Sequence, residues 1–221
     1  MSLSADQIRR SLTPFDLDLD AYQIGQISTW TDLLIKWNTK INLTTITKPE
    51  EIVVRHFAES MYLSKILALQ GRLLDVGSGA GFPGLALKIT NPELQVVLLE
   101  PVAKKRAFLK EVVRECEFDS VEVSGDRIEQ YSGKHVGEFD VVTSRAVGSF
   151  DSTLPAMVRC LSAIGELCLW LTRPEAEQLS VHNAAFIHLV KWSEPIPVAL
   201  SRDREIWHGK SRGLEHECCF T

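Results

Sequence analysis

No Cys-x-x-Cys pair occurs in this 221-residue chain, and its five cysteines (Cys116, Cys160, Cys168, Cys218 and Cys219) are scattered and odd in number. A disulfide framework or a thiolate metal site needs paired, regularly spaced cysteines, so reduced thiols in a cytoplasmic compartment are expected. Cys218 and Cys219 are adjacent and strand-like, which suits edge packing better than metal binding. The six histidines show no ligand spacing with cysteine or carboxylate, and no metal site is expected. No apolar run reaches the length of a membrane span. The opening residues Met1-Ser2-Leu3-Ser4-Ala5-Asp6 lack a basic stretch followed by an apolar one, so no secretory signal is expected. Internal repeats and low-complexity segments are absent as well.

Positive charge is also short. Lys and Arg number 24 against 29 Asp and Glu, a formal net charge of −5, which taken alone argues weakly against nucleic acid. The average hides local clusters. Lys104, Lys105, Arg106, Lys110 and Arg114 crowd one segment, with only Glu111 opposing. Arg202, Arg204, Lys210 and Arg212 crowd another, and Lys36, Lys40, Lys48 and Arg55 form a looser third. Any one of them reads as a solvated face. Three on so small a chain leave a polyanion-binding surface open.

What is present is ordinary for a globular protein: 45% apolar and 24% charged residues, enough for one domain with a sizeable core. Ile24, Ile27, Leu33, Leu34 and Trp37 recur near period 3.6 and predict a helix over 20–38. Asn42-Leu43-Thr44 breaks it. Thr47 is placed to cap a second helix with Pro49 and Glu50 in its first turn, running to Leu69 and ended by Gly71. Beyond Gly71 the pattern changes to short apolar runs at 73–76, 95–99, 120–123, 139–143 and 166–171. Helical segments at 83–90, 103–117, 150–162 and near 174–180 accompany them. Strands alternating with helices predict a parallel α/β sheet covered on both faces. Strand-like runs at 187–198 and 214–220 predict an antiparallel pair at the sheet edge. A helical extension (1–70) on an α/β core (71–221), without a linker, is expected to form one unit.

The most telling stretch is Leu73-Leu74-Asp75-Val76-Gly77-Ser78-Gly79-Ala80-Gly81-Phe82-Pro83-Gly84. A strand, a glycine turn and a helix start follow one another, as where a parallel strand meets a nucleotide-like cofactor. From Gly79 the run spells G-x-G-x-x-G, with Glu100 about 20 residues on, which is the dinucleotide pattern of a nicotinamide or flavin enzyme. Counted from a strand end at Val76, the glycines instead fall at Gly77, Gly79 and Gly81. Asp75, that turn and Glu100 together resemble the nucleoside-binding half of an S-adenosylmethionine-dependent methyltransferase. The simpler alternatives are that Asp75 caps the turn and Glu100 caps the helix after Pro101.

Further segments narrow the resemblance. Trp37-Asn38-Thr39-Lys40-Ile41-Asn42-Leu43-Thr44 and Val54-Arg55-His56-Phe57-Ala58-Glu59-Ser60 precede the turn. Lys104-Lys105-Arg106-Ala107-Phe108-Leu109, Arg127-Ile128-Glu129 and Thr143-Ser144-Arg145-Ala146 follow it. In this order they resemble the bacterial small-subunit (16S) ribosomal RNA guanine-N7 methyltransferases, the glucose-inhibited division protein B family, over about residues 20 to 180. The resemblance implies a Rossmann-like class I methyltransferase sheet, mostly parallel with an antiparallel edge. It implies S-adenosyl-L-methionine as cofactor, held by Gly77, Gly79, Phe82, Glu100, Ile128, Glu129 and Arg145. Small-subunit rRNA or the 30S subunit is the implied partner, and a cytoplasmic monomer is expected. No catalytic base is needed; Arg145 would orient the substrate, and Asn42 and His56 are candidates for the substrate side. Alternatively Arg145 serves an ion pair with Glu59 or Asp75, and Ile128 is core packing. A non-enzymatic RNA-binding protein of the same fold is a further alternative. One departure stands out: where the family has a lysine after its fifth strand, this chain has Thr172-Arg173.

Overall fold

The computed structural model describes residues 2–145, 150–186, 190–201 and 203–212. The expected strand over 214–220, with Cys218 and Cys219, and the positions of Ala146 and Arg202 lie outside them.

The extension begins with α1 (Ala5–Leu12), where Ser4 and Gln7 form a reciprocal capping box. A second box, Asp20 with Gln23, starts α2 (Ala21–Asn38). Its buried residues Ile24, Ile27, Trp30, Thr31 and Leu34 sit at helical spacing, so one stripe faces the core. Next come α3 (Pro49–Ile52), a π-helical segment (Val53–Ala58), α4 (Glu59–Met61) and α5 (Leu63–Ile66). The cap of α3 is Lys48, without a side-chain bond, not Thr47. Pro49 explains the start on its own, because its fixed φ and missing N–H suit the first helical position. The helical path stops at Ile66, three residues short of the expected end.

Five strands pair in parallel: β1 (Arg72–Val76), β2 (Gln95–Leu99), β3 (Val121–Ser124), β4 (Phe139–Ser144) and β5 (Leu161–Thr172). Between and after them run α6 (Gly84–Thr90), α7 (Ala103–Glu115), α8 (Ile128–Tyr131), α9 (Phe150–Cys160) and α10 (Arg173–Phe186). The tail adds β6 (Val190–Trp192), β7 (Ile196–Pro197) and β8 (Arg204–Ser211). The order is β3-β2-β1-β4-β5-β8-β6, and β8 pairs antiparallel with both β5 and β6. The antiparallel edge is therefore present, built by β8 at Arg204–Ser211, a strand that the apolar runs did not announce. In its sequence, Arg-Glu-Ile-Trp-His-Gly-Lys-Ser, charged residues and a histidine share the face of buried Ile206, so the apolar alternation of a strand is masked.

The pleat divides the core. Leu73, Val96, Leu98, Val141, Cys168 and Trp170 face the extension and share one apolar cluster with Ile27, Trp30, Leu34 and Phe57. Leu74, Val97, Leu99, Val142, Leu167 and Leu169 face α8, α9 and α10. Each fully buried side chain of this kind contributes about 1.5–3 kcal/mol. Burial on both faces is why these strands read as continuous apolar runs.

Candidate active site

β1 ends at Val76, so the glycine turn opens at Gly77. Gly77, Gly79 and Gly81 all have positive φ (73°, 56° and 96°). The N–H groups of Gly77 and Ser78 both donate to the Leu99 carbonyl, at 2.9 and 3.0 Å, which ties the turn to β2. The three glycines do different work. A Cβ on Gly81 would lie 2.7 Å from the Trp30 ring, so that glycine permits close packing. A Cβ on Gly77 would meet nothing within 4 Å, so that glycine borders open space.

That space is a cleft of about 190 Å³ at the carboxyl ends of β1, β2 and β4. Gly77, Pro101, Asp126, Ile128, Glu129 and Ser144 line it. Ile128 is buried, with the cleft on one side and the core on the other. Glu129 is exposed, and Ser152 Oγ donates to its carboxylate at 3.4 Å. Glu100 is 4% exposed and braces the turn: its Oε2 accepts from the Gly79 N–H at 3.0 Å and its Oε1 from the Val102 N–H at 2.8 Å. Its capping alternative is therefore real, and the same carboxylate stands at the foot of the turn.

Asp75 is fully buried beneath the turn. Thr143 Oγ1 donates to its Oδ1 at 2.9 Å; Oδ2 makes no well-aligned hydrogen bond among the described residues, although the Ser78 hydroxyl and the Gly84 N–H lie near the carboxylate and favour its charged form. Gly84 makes room for this carboxylate, since a Cβ there would sit 2.9 Å from Oδ2. Burial pushes the Asp75 carboxyl up to about 6, against the lowering effect of the Thr143 hydroxyl.

Phe82 turns away from the cleft. Its ring stacks on Trp30 at 4.5 Å and on His56 at 5.0 Å, inside the apolar cluster, so only its backbone belongs to the turn. His56 Nε2 lies 2.7 Å from Thr44 Oγ1. Burial first, then the nearby arginines, push His56 down to about 3, so it is a neutral imidazole at neutral pH. Asn42 is exposed and is not one of the residues that line the cleft. Its neighbour Asn38 shapes the loop instead, accepting from the N–H groups of Leu43 and Thr44 and donating to the Thr44 carbonyl.

Arg145, one residue beyond Ser144, reaches the extension rather than the cleft. It donates to the Arg55 carbonyl at 2.6 Å, to Ser60 Oγ at 3.4 Å and to Glu59 at 3.3 Å. Glu59, not Asp75, is thus its carboxylate partner. Glu59 and Arg204 are the residues that the sequence pattern undervalued. Arg55 and Glu59 stand four apart in a quoted motif, but nothing local announces that Arg204 joins them from β8. The Thr172 hydroxyl and N–H both donate to Glu175 at 2.7 Å, so Thr172 starts α10. Arg173 is exposed, and Arg204 is the residue paired across the ladder from Thr172.

Of the basic groups, Arg106 donates to the Glu100 and Pro101 carbonyls and packs on Gly125, so it is structural. Arg114 pairs with Glu115 at 2.7 Å, and Glu111 accepts from Trp37 Nε1 at 2.9 Å. Lys104 and Lys110 remain exposed. Among the described residues there is no group of His, Cys, Asp and Glu able to hold a metal ion, and no helix long and apolar enough to cross a membrane.

The model of the GidB family, rRNA small subunit methyltransferase G, matches residues 23–207. The chain belongs to this family. Family members include a Desulfitobacterium hafniense protein, 42% identical over 68% of this chain, and a Geobacter protein, 34% identical over 78% of it; both are named ribosomal RNA small subunit methyltransferase G. The match spans 63% of the Desulfitobacterium protein and 79% of the Geobacter one. Among solved structures, a SAM-dependent methyltransferase from Aquifex aeolicus superposes with TM-score 0.56 at 16% identity, covering 74% of this chain and 93% of the other. An rRNA methylase from Streptococcus thermophilus does so with TM-score 0.54 at 11% identity, covering 69% and 93%. These likenesses establish the Rossmann-like methyltransferase fold of this GidB family chain.

Proposed function

We propose that this chain is an S-adenosylmethionine-dependent methyltransferase acting on N7 of a guanine in small-subunit ribosomal RNA. The observation that carries the reading is the turn itself. Gly77 borders an open cleft, and beneath it the buried Asp75 Oδ2 lacks a well-aligned partner among the described residues. A buried carboxylate oxygen without a well-aligned hydrogen bond is costly unless a ligand completes it, and a cationic amino-acid end is a suitable one. S-adenosylmethionine therefore fits the residues present. Gly77 and Gly79 would hold it through their backbones, Glu100 through its carboxylate, and Ile128 with Glu129 on the nucleoside side. Phe82 would contribute its backbone alone. Bound there, the cofactor supplies a methyl group already activated on a sulfonium.

The protein's own task is positioning. Guanine N7 is a hydrogen-bond acceptor with an available lone pair, so no proton must leave and no general base is required. Holding the reacting atoms in line can supply about 7–11 kcal/mol. Arg145 would orient the target nucleotide, His56 and Asn42 are candidates for its approach, and exposed Lys104 and Lys110 would meet RNA phosphates. The base must be unstacked or already in a loop to enter. A cytoplasmic monomer acting on free rRNA or 30S subunits, with the extension and sheet unfolding as one unit, completes the proposal. The apolar cluster shared by the extension and the sheet supports that unit.

The register of the turn, opening at Gly77 and not Gly79, disfavours the dinucleotide alternative. The test mixes the protein with radiolabelled S-adenosylmethionine and either free rRNA or 30S subunits. Label in RNA supports the proposal. Binding of NAD without binding of S-adenosylmethionine would overturn it.

A further inference from the structure

Glu59 is surrounded by three guanidinium groups drawn from three parts of the fold. Arg55, from the π-helical segment, lies 3.1 Å from its Oε1. Arg145, after β4, and Arg204, on β8, lie 3.3 and 3.1 Å from its Oε2. The glutamate side chain is 1% exposed, and those of Arg145, Arg204 and Arg55 are 12%, 20% and 32% exposed. Trp170 Nε1 donates to the Glu59 backbone carbonyl at 2.9 Å and fixes its position over β5. Among the described residues, one negative charge thus faces three positive ones. Neutral His56 adds none, and burial with Arg204 brings the Arg145 guanidinium down to about 9, still charged at neutral pH.

Two surplus positive charges held this close in partly dried surroundings are unfavourable by themselves. Each guanidinium carries five N–H donors. The bonds named for Arg145 go to Glu59, Ser60 and Arg55, and that of Arg204 to Glu59. Among the described residues, donors of these guanidinium groups remain for a ligand. The location is apt, since Arg145 directly follows Ser144, a residue of the cleft lining. Arg55 and Glu59 also belong to a π-helical stretch and its first following residue, a backbone form that is rare and concentrated at functional sites.

We infer that Glu59 is a positioning residue that assembles Arg55, Arg145 and Arg204 into a subsite for a phosphodiester of the RNA substrate, beside the methyl-donor cleft. The inference rests on the RNA-methyltransferase reading above. Guanidinium forks match phosphate oxygens in bidentate geometry. A bound phosphodiester neutralises one surplus charge, and the position of Arg204 opposite Thr172 explains how a cation reaches this edge of the sheet without a lysine at 172.

The test is filter binding of small-subunit rRNA across a salt series, with thermal unfolding as a check of folding. Arg55→Ala and Arg204→Ala should each reduce the slope of log affinity against log salt by about 0.7–0.9. Each should also weaken rRNA binding about tenfold, the loss of one charged hydrogen-bond contact. Affinity for S-adenosylhomocysteine, measured by calorimetry, should stay within about twofold. Arg204→Lys should restore the slope but only part of the affinity, because it keeps the charge and loses the fork. Lys134→Ala, exposed before β4 at the opposite end of the sheet, should leave the slope unchanged. Folded Arg55→Ala and Arg204→Ala proteins with the slope of the unmodified protein overturn the subsite. So does a loss of S-adenosylhomocysteine binding with the slope intact. If the unmodified protein shows the arginine-dependent slope and transfers no methyl group, the subsite stands and the activity reading fails. If it transfers methyl groups while the variants keep its slope, the subsite alone fails.

Discussion

Gly77→Ala separates a ligand-facing glycine from a packing one. At φ 73° an L-residue is strained, at a cost of about 1–2 kcal/mol. The new methyl group meets no protein atom within 4 Å, so no clash adds to the strain in the free protein. In the cleft the same methyl group stands where a ligand must approach the backbone. An overpacking cost of about 1–3 kcal/mol there weakens cofactor binding by roughly fivefold to over a hundredfold. Gly81→Ala is the counterpart. Its φ of 96° brings similar strain, and its Cβ would press on the Trp30 ring at 2.7 Å, so its loss of stability should be the larger of the two. Urea unfolding gives the stabilities, and calorimetry with S-adenosylhomocysteine gives the affinities. The reasoning predicts that Gly77→Ala loses mainly affinity and Gly81→Ala mainly stability. A Gly77→Ala protein that binds S-adenosylhomocysteine as tightly as the unmodified one refutes it.

Three further perturbations follow from named contacts. Asp75 has a folded value of about 6 against an ordinary carboxylate value of 3.8, so the folded state holds the proton more tightly. Its contribution to stability is greatest below pH 4 and falls as pH rises to about 6, by about 3 kcal/mol. Asp75→Asn should flatten that fall in urea titrations over this range, and an unchanged profile would contradict the assignment. Phe82→Ala empties the space between Trp30 and His56 and should cost about 3–5 kcal/mol in urea unfolding; a loss under 1 kcal/mol would mean that the ring is not core. Trp170→Phe removes the donor to the Glu59 carbonyl and should cost about 1–3 kcal/mol, read in the same way.

The parallel sheet was legible because its strands are buried on both faces, and the apolar runs at 73–76 and 95–99 nearly coincide with β1 and β2. The glycine turn was legible because positive φ and close packing leave few residue choices. β8 was not, since Arg204, Glu205, His208 and Lys210 mask its alternation, and pairing with β5 rather than local propensity defines it. Thr47 was misread as a cap for the reason that Pro49 needs none. The Glu59 cluster was half legible: Arg55 and Glu59 share one helical segment, whereas Arg204 arrives from 145 residues away, a proximity that only the antiparallel edge creates. Phe82 belongs to the turn's motif, yet its ring serves the core.

The most direct measurement incubates the protein with methyl-labelled S-adenosylmethionine and 30S subunits or free rRNA, then maps the label by cleavage at N7-methylguanosine. The expected result is label at a guanine N7 of small-subunit rRNA, lost when Gly77 is replaced. Binding of S-adenosylmethionine without any label in RNA, or label on another atom or molecule, would contradict it.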